Sequence, residues 1–192
     1  MANGNNLNPQ LQVLHERLSA LLKEVEQKLS GLNDTQCNWS PDKNTWSLCQ
    51  CLEHTNVIAE LLLPKIEEAI KTLESQGAKS EGPFQYSMME RIFIRMISPN
   101  PPLKMPVPPI YEPQIESKPI GEVLRKYLAL HAQLLNCIEK SNGLDLKKVK
   151  IASPVSDKMR LTLGAWLAGS IGHLEYHWFQ AKELLANPNF PS

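Results

Sequence analysis

His173 and His177 stand four residues apart in LTLGAWLAGSIGHLEYHWFQAKELL, close to the end of the 192-residue chain. On an α-helix, side chains at i and i+4 leave the same face, with Cβ atoms about 5–6 Å apart. Two imidazoles at that spacing can hold one transition-metal ion. A third histidine, His54, lies far upstream in WSLCQCLEHTNVIAELL. If both segments are helices packed face to face, three neutral imidazoles converge. They then leave a coordination position for water or substrate, as catalytic zinc sites require.

The neighbours of the pair extend this reading. Counted along a helix, Trp166, Ser170, His173, His177, Gln180 and Leu184 form one stripe. It runs beside the apolar stripe of Leu163, Leu167, Ile171, Leu174, Trp178, Ala181 and Leu185. Imidazoles, a hydroxyl and an amide between a Trp and a Leu have the composition of a pocket wall. An HxxxH pair also occurs as two polar residues at a core edge, and spacing alone does not separate the two readings. Metalloprotease chemistry is disfavoured, because HExxH needs Glu after the first histidine and Leu174 stands there.

The other candidates are weaker. His131 falls on an apolar stripe and is expected in the core or on the pocket wall, outside the metal set. His15, beside Glu16 and Arg17, is expected at the surface or a core edge. Cys51 precedes His54 by one turn and can approach its face, whereas Cys49 points about 200° away from Cys51. The four cysteines, Cys37, Cys49, Cys51 and Cys137, are expected as reduced thiols, Cys51 as a small buried apolar residue. Glu53 and Gln180 are candidates for supporting the histidines from behind. No residue stands out as a general base.

Several function classes lack support. No GxSxG, GxxxxGK[ST] or GxGxxG segment is present for a nucleophilic serine or a phosphate cradle. Lys+Arg and Asp+Glu number 20 each, so no basic face is implied and no nucleic-acid partner is expected. Apolar runs such as AELLL are far too short to cross a membrane. The segment MANGNNLNPQ lacks the basic and apolar regions of a signal peptide, and a cytoplasmic location is expected.

Four long helices must position these residues. The first is predicted over 9–30, capped by Asn8, started by Pro9 and ended by Gly31. A loop, LNDTQCNWSPDKNTW, follows. The second helix is predicted from Ser47 to about Gly77, with Pro64 expected to kink or split it. A short helix is expected within FQYSMMERIFIRMI. Residues 98–119 then carry eight prolines and are expected to run extended over the surface, covering one end of the core. The third helix is predicted over 119–141 and the fourth over 163–186, with Thr162 as its N-cap. Strand alternation never persists; VKIAS at 149–153 is its nearest approach. The expected fold is all-α: a single-domain, up-and-down four-helix bundle with a long proline-rich crossover between helices 2 and 3.

Three stretches together resemble the DinB superfamily, whose members include YfiT-like metal-dependent hydrolases and bacterial thiol transferases. NWSPDKNTWSLCQCLEHTNVIAE is similar to the family's approach, through a loop with Trp and Ser, to a helix bearing one metal-binding histidine. The proline-rich stretch between the second and third helices is similar in place, and the last helix is similar in its H-x3-H-x2-Q core. The resemblance spans nearly the whole chain. It implies a metal triad of His54, His173 and His177 and a bundle that is often a homodimer. Trp166 and Trp178 on the last helix offer more apolar area than one core is expected to bury, which also favours a dimer. A divalent ion, with zinc or nickel foremost, would activate water or a small-molecule thiol for hydrolysis or transfer. The alternative is a non-catalytic bundle that binds metal or a small ligand. Metal binding is expected to weaken below about pH 6.5, where free imidazole protonates.

Overall fold

The computed structural model describes residues 7–103, 106–113 and 117–192. Their order is α1 (Pro9–Leu29), α2 (Asp34–Asn38), α3 (Leu48–Ser75), α4 (Met88–Ile97), a 3-10 turn (Pro109–Tyr111), α5 (Ile120–Lys140), β1 (Lys150–Ser153), β2 (Ser156–Thr162) and α6 (Leu163–Leu185). The fold is mainly helical, roughly as the all-α expectation had it, with a small antiparallel sheet added.

The caps explain where the helices begin. Asn8 accepts from the Gln10 N–H and Pro9 opens α1. Ser47 and Gln50 form a capping box at α3, and Ser87 and Glu90 form one at α4. A third box, Asn33 with Gln36, builds α2 inside the stretch expected to be a loop. This short helix starts a long one. Pro119 has no side-chain cap to offer α5, and Asp34 Oδ1 of α2 accepts from the Ile120 N–H at 2.9 Å instead.

Pro64 does not split α3. A proline withholds its N–H from the carbonyl four residues earlier. Here that carbonyl belongs to Glu60, and both residues are exposed, so water can take the missing donor's place. The sheet escaped the sequence pattern because it is short and one-sided. β1 buries only Ile151 and Ser153, and β2 exposes Asp157, Lys158 and Arg160 before Leu161 turns inward opposite Ile151. Thr162 then ends β2 and caps α6 by accepting from the Ala165 N–H.

α3 and α1 each pack against both α5 and α6, and α4 lies on α6. Leu18, Val25, Ile66, Ile138, Leu167 and Ile171 are wholly buried where the long helices meet. Trp166 and Trp178 are also buried within one chain, at 6% and 4% exposure, so they give no reason to expect a second copy. Glycines let α4 approach. A Cβ at Gly169 would lie 3.2 Å from the Phe93 ring, and one at Gly172 would collide with Ser98 Oγ.

Glu90 joins these parts. Its Oε1 accepts from the Thr162 N–H at 2.8 Å and the Thr162 hydroxyl at 2.6 Å, while Oε2 accepts from the Ser87 N–H at 2.8 Å. Burial pushes its pKa up, but the bonds from Thr162 and Ser87 outweigh burial and hold it at about 2. One buried carboxylate thus fixes the start of α4 to the junction of β2 and α6. Glu90→Gln is expected to cost roughly 1.5–3 kcal/mol at neutral pH in urea unfolding. Because the folded pKa lies below the ordinary 4.5, the carboxylate's contribution is full above 4.5 and is lost as pH falls toward 2. The gap between wild type and variant should narrow over that range; a constant gap would refute the assignment.

Candidate metal centre

His54 sits in the second turn of α3, downstream of the Ser47 cap, and His173 and His177 lie on consecutive turns of α6. Packing of α3 on α6 brings the three rings together. One ring nitrogen from each can be chosen so that all three lie within 4.8 Å of one another. Ring centroids are 4.5 Å apart for His54–His177 and His173–His177, and 5.2 Å for His54–His173. The Nε2 atoms of His173 and His177 stand 3.0 Å apart. Two nitrogens bound to one zinc at about 2.0–2.1 Å, between right-angled and tetrahedral, are separated by roughly 2.9–3.4 Å. The pair therefore has the bite of a chelate.

A sequence model of the DinB superfamily matches residues 11–181. The chain belongs to the DinB superfamily. No curated protein and no solved structure matches it.

In this DinB protein the tautomer of His54 is fixed from behind. Its Nδ1 lies 2.6 Å from the Tyr111 carbonyl oxygen. A carbonyl only accepts, so Nδ1 carries the proton and Nε2 keeps its lone pair for the centre of the cluster. Tyr111 belongs to the 3-10 turn of the proline-rich crossover. That segment, expected only to cover the core, also orients a candidate ligand. Trp46 supplies a wall, stacked on His177 at 5.8 Å and tilted over His54 at 4.9 Å.

Burial keeps the rings neutral. It lowers His54 to about 4 against the opposing Tyr111 bond. Burial, and then the neighbouring His54, lower His173 to about 3. Burial, and then His173 and His54, hold His177 well below 6.5. Proton competition for the site therefore begins well below the pH of 6.5 expected from free imidazole.

The two supporting candidates part company. Glu53 pairs with Lys118 Nζ at 2.5 Å and so ties α3 to the residue just ahead of α5. Gln180 stays with the cluster: its Nε2 donates to the Tyr176 hydroxyl at 3.1 Å, and its side chain favours the charged form of His177. His177 Nδ1 and Gln180 Oε1 are both buried without a hydrogen-bond partner. With an ion on Nε2, Nδ1 must carry the proton, and Gln180 Oε1 is an acceptor of matching type one turn away. The orphaned pair fits a metal on the other face of the ring.

His131 stays outside the cluster, as expected. It is 2% exposed, its Nδ1 lies 2.7 Å from the Tyr127 carbonyl oxygen, and burial lowers it to about 4. His15 meets Glu139 at 3.1 Å near the surface. Cys51 is buried against the cavity, and burial pushes its thiol up to about 12. That cavity, of about 670 Å³, opens on the three histidines and is walled by Trp46, Phe93, Met96, Tyr111, Trp166 and Tyr176, among others. Sequence reasoning missed the roles of Trp46, Tyr111 and Tyr176. Trp46 stood one residue ahead of the Ser47 cap, but a backbone acceptor such as the Tyr111 carbonyl leaves no mark in residue type.

The three buried imidazoles and the half-buried His173 make a proton-linked prediction for protein treated with chelator. Each folded pKa lies below that of the free ring, so the stabilising contribution is full above 6.5 and is lost as pH falls toward 4. Unfolding should take up several protons near pH 5, each adding about 1.4 kcal/mol per pH unit to the slope of stability. Urea midpoints between pH 7.5 and 5 test this. A slope worth less than one proton contradicts it, and His131→Leu should lower the slope by about one proton.

Proposed function

We propose that this DinB-superfamily protein is a metal-dependent enzyme in which His54, His173 and His177 hold one divalent ion, zinc or nickel, beside a small-molecule cavity. The observation that carries this reading is three neutral imidazoles whose nitrogens lie within 4.8 Å of one another on the wall of that cavity. When bound, such an ion lowers the pKa of a coordinated water or takes a thiol as thiolate, which suits hydrolysis or thiol transfer.

The chain's own groups supply the rest. The Tyr111 carbonyl orients His54, and Gln180 Oε1 is the acceptor available to His177 Nδ1 when an ion holds Nε2. Trp46 shields one side of the cluster. Burial raises the pKa of Tyr176, with Cys51 and Glu183 adding to the shift, so its phenol stays protonated. Its oxygen accepts from Gln180, and among the described residues its own proton has no acceptor. Tyr176 is therefore placed to donate that proton to a group developing negative charge in the cavity. We read α1, α3, α5 and α6 as an up-and-down bundle crossed over by the proline-rich segment. The four free, buried cysteines fit a reducing cytoplasm.

Protein purified without an affinity tag should contain about one equivalent of zinc or nickel per chain by elemental analysis. Alanine at His54, His173 or His177 should weaken binding by more than the roughly 10–100-fold typical of losing an outer-shell partner. His131→Ala should keep the metal. Turnover of an electrophile with a low-molecular-weight thiol, or of an ester with water, should vanish with chelator and return with metal. A metal-loaded protein without turnover would leave a binding protein, and an absence of bound metal in titration would remove the enzyme reading.

A further inference from the structure

The cavity has two unlike ends, and α6 sets their order. Trp166 lies roughly 10 Å ahead of His173 along the helix axis, and Glu183 about 9 Å beyond His177. Around the Trp166 end gather Phe93 and Ile97 of α4, and Leu62 of α3 with Val155 and Met159 of the hairpin add to the apolar lining of the cavity. Contacts fix this placement. The Phe93 and Trp166 rings meet edge to face at 5.4 Å, and Trp166 Nε1 donates to the Ile151 carbonyl of β1 at 3.0 Å. Phe93 and Ile97 also face Gly169 of α6. At the other end lie Asn44, Thr45, Tyr176, Gln180, Glu183 and Asn187. Trp46, next to Asn44 and Thr45, stacks on His177, which puts that loop beside the later turns of α6. Among the described lining residues none is lysine or arginine, and Glu183 is the one carboxylate.

We propose that the cavity takes an uncharged amphiphile, with its alkyl or aryl end against Trp166 and Phe93, its polar end toward Asn44 and Gln180, and its reacting group between them at the histidines. This deepens the enzyme reading by naming its substrate class. An apolar end is favoured because each methylene placed among such side chains leaves water. Away from the histidines an anionic group is disfavoured, because the described walls there offer no lysine or arginine to replace its hydration and set one carboxylate against it.

The test measures binding of the neutral fluorophore N-phenyl-1-naphthylamine to the full chain treated with chelator, followed by displacement. The fluorophore should bind saturably. Butanol, hexanol and octanol should displace it with affinity rising up to about fourfold per added methylene. Octanoate should compete at least tenfold more weakly than octanol. Val155→Glu, at the partly exposed hairpin turn, and Met96→Glu should each weaken fluorophore binding at least tenfold. Val13→Glu, at an exposed position of α1 outside the cavity lining, should leave it within twofold. No saturable binding, a flat alkanol series, octanoate equal to octanol, or a larger loss from Val13→Glu than from Val155→Glu would each overturn the proposal. Saturable binding with the expected order in a protein that never takes up metal would sustain this pocket and remove the metal reading, so the two fail separately.

Discussion

Three imidazoles whose ligand nitrogens lie within 4.8 Å of one another repel strongly when charged, and the burial of His54 and His177 adds the cost of desolvation. At neutral pH the rings are held neutral, and each neutral ring must place one proton and one lone pair. Most of the local architecture answers that need. The Ser47 cap sets where α3 begins and so where His54 emerges. The i, i+4 spacing on α6 brings two Nε2 atoms to 3.0 Å. Behind the rings, the Tyr111 carbonyl and the Gln180 amide are groups able to receive the protons that must point away from the centre. For His54 the Tyr111 carbonyl turns the proton outward and the lone pair inward, the arrangement a metal ligand needs.

The proline-rich crossover gains its part in the site from a chemical imbalance. A proline contributes a carbonyl and no N–H, so a segment with Pro106, Pro108, Pro109 and Pro113 holds more backbone acceptors than donors. Such a stretch cannot satisfy itself. It can lend a carbonyl to a side-chain donor elsewhere, as Tyr111 does to His54. Its neighbouring prolines and Val107 line the cavity. The composition that forbids regular structure there also makes the segment a source of acceptors and apolar surface.

The histidine cluster was legible because its signal is periodic. His173, His177 and the stripe around them follow from 3.6 residues per turn, whereas His54 joined them through the resemblance to the DinB superfamily and not through spacing. Features that depend on one atom or one contact were not legible. The Tyr111 acceptor carries no side-chain signature. The hairpin buries too few residues to alternate. Pro64 reads as a break unless its exposed side of α3 is known. Glu53 looked like a partner for His54, yet Lys118, far away in sequence, draws it off. Free imidazole is a poor guide to proton competition at this site, because burial and neighbouring rings, absent from any local pattern, move the titrations down.

Glycine on α6 joins these observations. A glycine inside a helix costs about 0.5–1 kcal/mol relative to alanine, and Gly164, Gly169 and Gly172 all lie within α6. At Gly169 a methyl group would press on Phe93 and Ile97, and at Gly172 on Ser98, all of them on or just beyond α4. Alanine would gain helix propensity and push α4 outward, carrying with it the side chains that form the apolar end of the cavity. The helix that carries two of the three imidazoles is therefore kept thin on the side where the cavity needs its neighbour close. Its backbone preference gives way to the packing that shapes the space in front of the histidines.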